Sequence, residues 1–82
     1  MADLVRIYDA SVNAYRDVNI DLVVKSIEEA KKLEPTLEGA GDIISIYDAT
    51  LNAYRELPKS LVEKQVAEAI ILEQELIEKG LI

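Results

Sequence analysis

Ile7-Tyr8-Asp9-Ala10-Ser11-Val12-Asn13-Ala14-Tyr15-Arg16 returns 39 residues later as Ile46-Tyr47-Asp48-Ala49-Thr50-Leu51-Asn52-Ala53-Tyr54-Arg55. Extended without a gap over residues 3–41 against 42–80, the same offset gives 18 identities in 39 positions, from Asp3/Asp42 to Gly41/Gly80. Many of the other apolar pairs are conservative, among them Val5/Ile44, Val12/Leu51, Val18/Leu57 and Ile27/Val66. The 82 residues therefore read as a single domain, residues 1–82, made of two internal repeats, 3–41 and 42–80. One short unit cannot bury its own apolar face, so the halves of such a chain are expected to bury one another.

Which period the repeated stretch follows decides the fold. At 100° per residue, Leu4, Val5, Ile7, Tyr8, Ser11, Val12, Ala14 and Tyr15 share one half of a cylinder, and Arg6, Asp9, Asn13 and Arg16 the other. The second copy divides in the same way, with Ser45, Asp48, Asn52 and Arg55 outward. With a content rich in Glu, Lys, Ala and Leu, the expectation is an all-α chain. Its four helices would form two tandem helical hairpins, as an antiparallel bundle or two-repeat array. Asp3 and Asp42 are the expected N-caps of the first and third helices. The second is expected from about Ile20, with Val23, Ile27, Ala30 and Leu33 inward. The fourth is expected from about Lys59, with Val62, Val66, Ala69, Glu73, Leu76 and Ile77 on one face. Pro35 ends or kinks the second near Leu33 or Glu34. Gly80 ends the fourth with a left-handed cap.

Composition narrows the function classes. Sixteen acidic residues against nine basic ones give a formal charge of −7, which opposes phosphate backbones and anionic membrane surfaces. No nucleic acid and no membrane partner is expected. Neither cysteine nor histidine occurs, which removes disulfides, thiol chemistry, the usual nucleophile–base pairs and the commonest transition-metal ligands. No catalytic residue, metal site or cofactor is expected. Met1-Ala2-Asp3-Leu4 lacks the basic start and apolar run of a signal peptide, so a cytoplasmic location is the expectation.

Three sets of residues stand out as candidate sites. Tyr8, Tyr15, Tyr47 and Tyr54 are the only aromatics and would line a groove for a ligand or peptide. The plainer reading makes them core spacers. Asp9, Asn13 and Arg16, with Asp48, Asn52 and Arg55, would form a doubled outer recognition surface, or else a solvated face inherited unchanged. Lys31 and Lys32 become Ile70 and Ile71 in the second copy. With Leu81 and Ile82 these isoleucines form a candidate interface with another protein chain, self or foreign, and a homo-oligomer is expected. Glu34 and Glu73 occupy equivalent positions and would be a cation-holding pair if the fold brought them together.

Asn19-Ile20-Asp21-Leu22 resembles the turn into the second helix of a tetratricopeptide-type hairpin. Ala30-Lys31-Lys32-Leu33-Glu34-Pro35 resembles that family's closing alanine, leucine, acidic and proline pattern. Ser11 and Thr50 take the place of a small residue in its first helix. The period of 39 exceeds that family's roughly 34, and Gln74 stands where a second proline would. The resemblance implies a TPR-like repeat that binds peptide or protein without catalysis. Length and helix count are also similar to the small antiparallel helical bundles that protect bacteriocin producers. Whole-chain regularity is equally what a designed duplication of one hairpin would give, without biological activity. The function expected is a non-catalytic helical scaffold or protein-protein interaction module that self-associates. Its rival is a small-ligand or cation-binding helical bundle.

Overall fold

Val5-Arg6-Ile7 and Ile44-Ser45-Ile46 alternate in and out, with Val5, Ile7, Ile44 and Ile46 buried and Arg6 and Ser45 exposed. Period-two alternation in residues that favour extended backbone makes a strand. In the computed structural model, which describes residues 3–82, each repeat opens with a β-hairpin. Strand β1 (Leu4–Asp9) pairs antiparallel with β2 (Ala14–Asn19), setting Val5 opposite Val18 and Tyr8 opposite Tyr15. Strand β3 (Ile43–Asp48) pairs with β4 (Ala53–Pro58), setting Ile44 opposite Leu57 and Tyr47 opposite Tyr54. Among the described residues these are two separate two-stranded sheets.

The turn chemistry explains the hairpins. Asp9 Oδ1 accepts from the backbone N–H of Ser11 at 3.0 Å and from its hydroxyl at 2.7 Å, and the Val12 N–H reaches the Asp9 carbonyl at 3.3 Å. Asn13 then closes the loop at φ 51°, the left-handed region that asparagine tolerates better than most residues. Asp48, Thr50, Leu51 and Asn52, with φ 50° at the asparagine, repeat the arrangement.

Both hairpins run straight into helices. Helix α1 (Ile20–Leu33) starts at Asn19, whose side chain accepts from the Asp21 N–H at 2.9 Å, a true N-cap. Helix α2 (Lys59–Glu78) follows Pro58, which lacks a capping side chain. The first N–H of each helix donates to the carbonyl ahead of its own hairpin, Ile20 to Asp3 at 2.9 Å and Lys59 to Asp42 at 2.8 Å. Pro35 sits in a 3₁₀ turn, Glu34–Thr36, that ends the first helix; its counterpart Gln74 lets α2 run on to 20 residues against 14. Gly80, at φ 73°, then stops α2 in a Schellman arrangement, with Gly80 N–H to the Ile77 carbonyl and Leu81 N–H to that of Leu76.

The helices pack against each other, and each also packs against the hairpin of the opposite unit. Val23 and Val62, equivalent in the two repeats, are fully buried; Ile27 with Val66, and Ala30 with Ala69, continue the same stripe. The strands close the core with Val5, Ile7, Val18, Ile44 and Ile46.

The all-α expectation is therefore overturned. Two of the four expected helices exist, beginning at Ile20 and Lys59, but the first and third are β-hairpins. The chain is a ββαββα protein of mixed class, not a four-helix bundle, and the TPR-like and bundle resemblances fall with it. A half-cylinder is a wide target: a strand with buried residues near its tip on both faces, as at Ile7 and Tyr8, also satisfies it. Asp3 and Asp42 supply backbone carbonyls rather than caps, and Ser11 and Thr50 belong to turns, not to a helix contact.

Candidate functional site

The crossing of each helix over the other unit's hairpin leaves two clefts related by the repeat. The first, about 290 Å³, lies between the first hairpin and α2. Arg6, Tyr8, Tyr15, Glu68, Ile71 and Glu75 contribute to its walls, above an apolar floor that includes Ile7, Val23, Ile27 and Ala69. The second, about 200 Å³, is lined by Ser45, Tyr47, Tyr54, Glu29, Lys32, Leu33, Thr36 and Ile46. Each of those eight residues is the counterpart, 39 positions away, of a residue lining the first.

A common frame holds both clefts open. Tyr8 and Tyr15 meet edge to face at 5.7 Å between ring centres, and Tyr47 and Tyr54 at 5.6 Å, a geometry worth about 0.5–1.5 kcal/mol beyond area burial. The inner hydroxyl of each pair donates to the turn asparagine, Tyr8 to Asn13 Oδ1 at 2.5 Å and Tyr47 to Asn52 Oδ1 at 2.6 Å. The outer hydroxyl donates across to the other unit's helix, Tyr15 to Glu68 and Tyr54 to Glu29, both at 2.9 Å. Lys64 Nζ lies 4.5 Å from the Tyr8 ring centre and Lys25 Nζ 4.6 Å from that of Tyr47.

The surroundings of Tyr15, Tyr47 and Tyr54 move these three phenols in one direction. The hydrogen bond to Glu68 holds the Tyr15 hydroxyl above its ordinary pKa, and that to Glu29 does the same for Tyr54, because a phenolate there would face a carboxylate. Burial raises Tyr47, with Asp48 and Glu29 adding to it. Tyr15, Tyr47 and Tyr54 are thus held as hydrogen-bond donors at neutral pH.

The tyrosines do not form one continuous groove. They stand as two cross-strand pairs, with Tyr8 and Tyr47 buried and Tyr15 and Tyr54 exposed. The outward Asp-Asn-Arg lines are not formed either: Asp9 and Asp48 are each only 3% exposed, while Asn13 and Asn52 are exposed but hold turns, and Arg16 and Arg55 are exposed on the second strand of each hairpin. Of the candidate interface, Ile71 is 56% exposed, Leu81 and Ile82 are exposed, and Ile70 is half-buried against the core. Glu73 is taken by Lys31 Nζ at 2.9 Å and Glu34 is exposed at the end of α1, so no cation-holding pair forms there. No helix among the described residues is long and apolar enough to cross a membrane.

Sequence reasoning missed the helix side of the clefts. Lys25/Lys64 and Glu29/Glu68 are identical in both repeats, and an identical charged pair at a four-residue spacing on each helix was the available signal. No family model, no curated protein and no solved structure matches the chain.

Proposed function

We propose that this chain is a non-catalytic protein-interaction module that associates with a second copy of itself through the α2 side, centred on the first cleft. The observation that carries this reading is the divergence of two clefts that otherwise share a frame. Ile71 replaces Lys32 at the mouth of the first, half in solvent, while the tyrosine pair and the helix glutamate are kept. Farther along α2, exposed Ile77 replaces Glu38, and Leu81 and Ile82 are exposed beyond it. Apolar side chains at positions charged in the sister unit are what an interface requires and a solvated face does not. The clefts bring tyrosines to carboxylates, with neither histidine nor cysteine anywhere in the chain to act as base or nucleophile, and this favours binding over chemistry.

Sedimentation equilibrium on the wild-type chain and on Ile71→Lys, which copies the sister unit, tests the proposal. A concentration-dependent dimer that Ile71→Lys converts to a folded monomer supports it. A wild-type monomer across the accessible range, or a dimer indifferent to the substitution, refutes it. A second reading rests on the first cleft's volume of about 290 Å³, the lower end for small-molecule sites. On that reading a monomeric chain binds a small apolar ligand against Tyr15 and Ile71.

A further inference from the structure

The two hairpin tips meet where the repeats join, and two carboxylates are buried there. Asp9 and Asp48 are each 3% exposed, and the Thr50 hydroxyl lies between them, 2.6 Å from Asp48 Oδ1 and 3.0 Å from Asp9 Oδ2. Asp9 Oδ1 is satisfied by Ser11, and Asp48 Oδ1 also accepts the Thr50 N–H at 3.0 Å. Beyond those bonds the hydrogen count falls short. A hydroxyl carries one hydrogen and can donate to only one of its two carboxylate neighbours. Asp48 Oδ2 is buried with no hydrogen-bond partner among the described residues. The ion pair present among those residues, Lys31 with Glu73, is elsewhere, and Lys25 and Lys64 lie over tyrosine rings.

Buried carboxylates without a counter-charge are costly, and each oxygen left without a hydrogen adds to that cost. A positive charge between the two tips relieves both. We infer that the Asp9–Thr50–Asp48 centre binds one small hard cation of the Mg²⁺ or Ca²⁺ class. The available donors are all oxygens: Asp9 Oδ2, Thr50 Oγ1 and the two oxygens of Asp48. Such a set suits hard divalent cations, whose remaining positions are filled by water. Among the described residues no three acidic side chains converge, so the site rests on two carboxylates and a hydroxyl and is of modest affinity. Its occupancy would tie one repeat to the other.

The test is thermal unfolding of the chelator-treated full-length chain, at fixed protein concentration and ionic strength, with Mg²⁺, Ca²⁺ or Na⁺ added. A ligand held only by the folded state raises the midpoint. The expected result is a rise of roughly 5 °C with saturating Mg²⁺ or Ca²⁺ over Na⁺, abolished in Asp48→Asn, whose amide brings hydrogens to the deficient centre. Equal responses in wild type and variant would assign binding to the acidic surface and overturn the inference, as would a midpoint indifferent to all three cations. If Asp48→Asn does not fold, calorimetric titration of the wild-type chain decides. One saturable site per chain supports the inference, and only weak, non-saturating uptake overturns it.

Discussion

Asn13 and Asn52 do two jobs with one side chain. Each takes a left-handed backbone position at the end of a hairpin turn, and each accepts the hydroxyl of the buried tyrosine beside it. Asn13→Ala removes the short polar side chain that eases the left-handed conformation and strands the Tyr8 hydroxyl, a combined loss of about 1–2 kcal/mol. Asn13→Gly keeps the conformation and loses only the acceptor, so its loss is smaller. Urea unfolding of both variants checks the order. The tyrosine–glutamate bonds make a separate prediction. Tyr15, Tyr47 and Tyr54 hold their protons more tightly folded than unfolded. Their contribution is therefore fully present below the ordinary phenol value of about 10 and is lost as pH rises through the folded values. The double variant Tyr15→Phe, Tyr54→Phe should show a shallower fall in unfolding midpoint between pH 9 and 11 than the wild type. An equally steep fall would place the alkaline sensitivity elsewhere.

At the level of elements, the helices were legible and the hairpins were not, for a definite reason. Ile20–Leu33 and Lys59–Glu78 carry the stops that a sequence displays: an asparagine cap, a proline start, Pro35 after the first and Gly80 after the second. Leu4–Asn19 carries strand signals in six-residue pieces, with only Val5-Arg6-Ile7 showing clean alternation before Tyr8 and Asp9 are both buried near the tip. Its turn lacks glycine and reads as continuous amphipathic helix until the carboxylate of Asp9 is seen to bind Ser11. The candidate clefts were half legible. The tyrosines stand out in the sequence, but their pairing across strands, rather than stacking along a helix, is a consequence of register. Leu76 links local and global order, being 2% exposed and supplying the carbonyl that accepts Leu81 N–H at the helix end. Leu76→Ala should cost about 2–5 kcal/mol, read as a lowered denaturation midpoint with an unchanged slope. A loss well under that range would mean the end of α2 is not part of the cooperative unit.

Across the whole molecule the repeat acts as an internal two-fold. Tyr15 reaches Glu68 as Tyr54 reaches Glu29, and Lys64 covers Tyr8 as Lys25 covers Tyr47. Reciprocal contacts of this kind are those of an isologous dimer, here joined in one chain. Against that symmetry the departures are informative, since Arg6/Ser45, Ile71/Lys32 and Glu75/Thr36 all fall on the clefts. Ile71 puts an apolar side chain in the first cleft where the second has a lysine, whereas Arg6 and Glu75 give the first cleft charges that Ser45 and Thr36 do not supply in the second. With a net charge of −7, two copies repel at long range, so self-association should strengthen as salt screens the charge. The most direct measurement is a dilution series of amide ¹H–¹⁵N correlation spectra. Concentration-dependent shifts confined to Arg6, Tyr15, Ile71, Glu75 and the end of α2, with Ser45, Tyr54 and Lys32 unmoved, are the predicted result. Shifts at both clefts alike, or none at any concentration, would contradict the assignment of the first cleft as the place where a second copy docks.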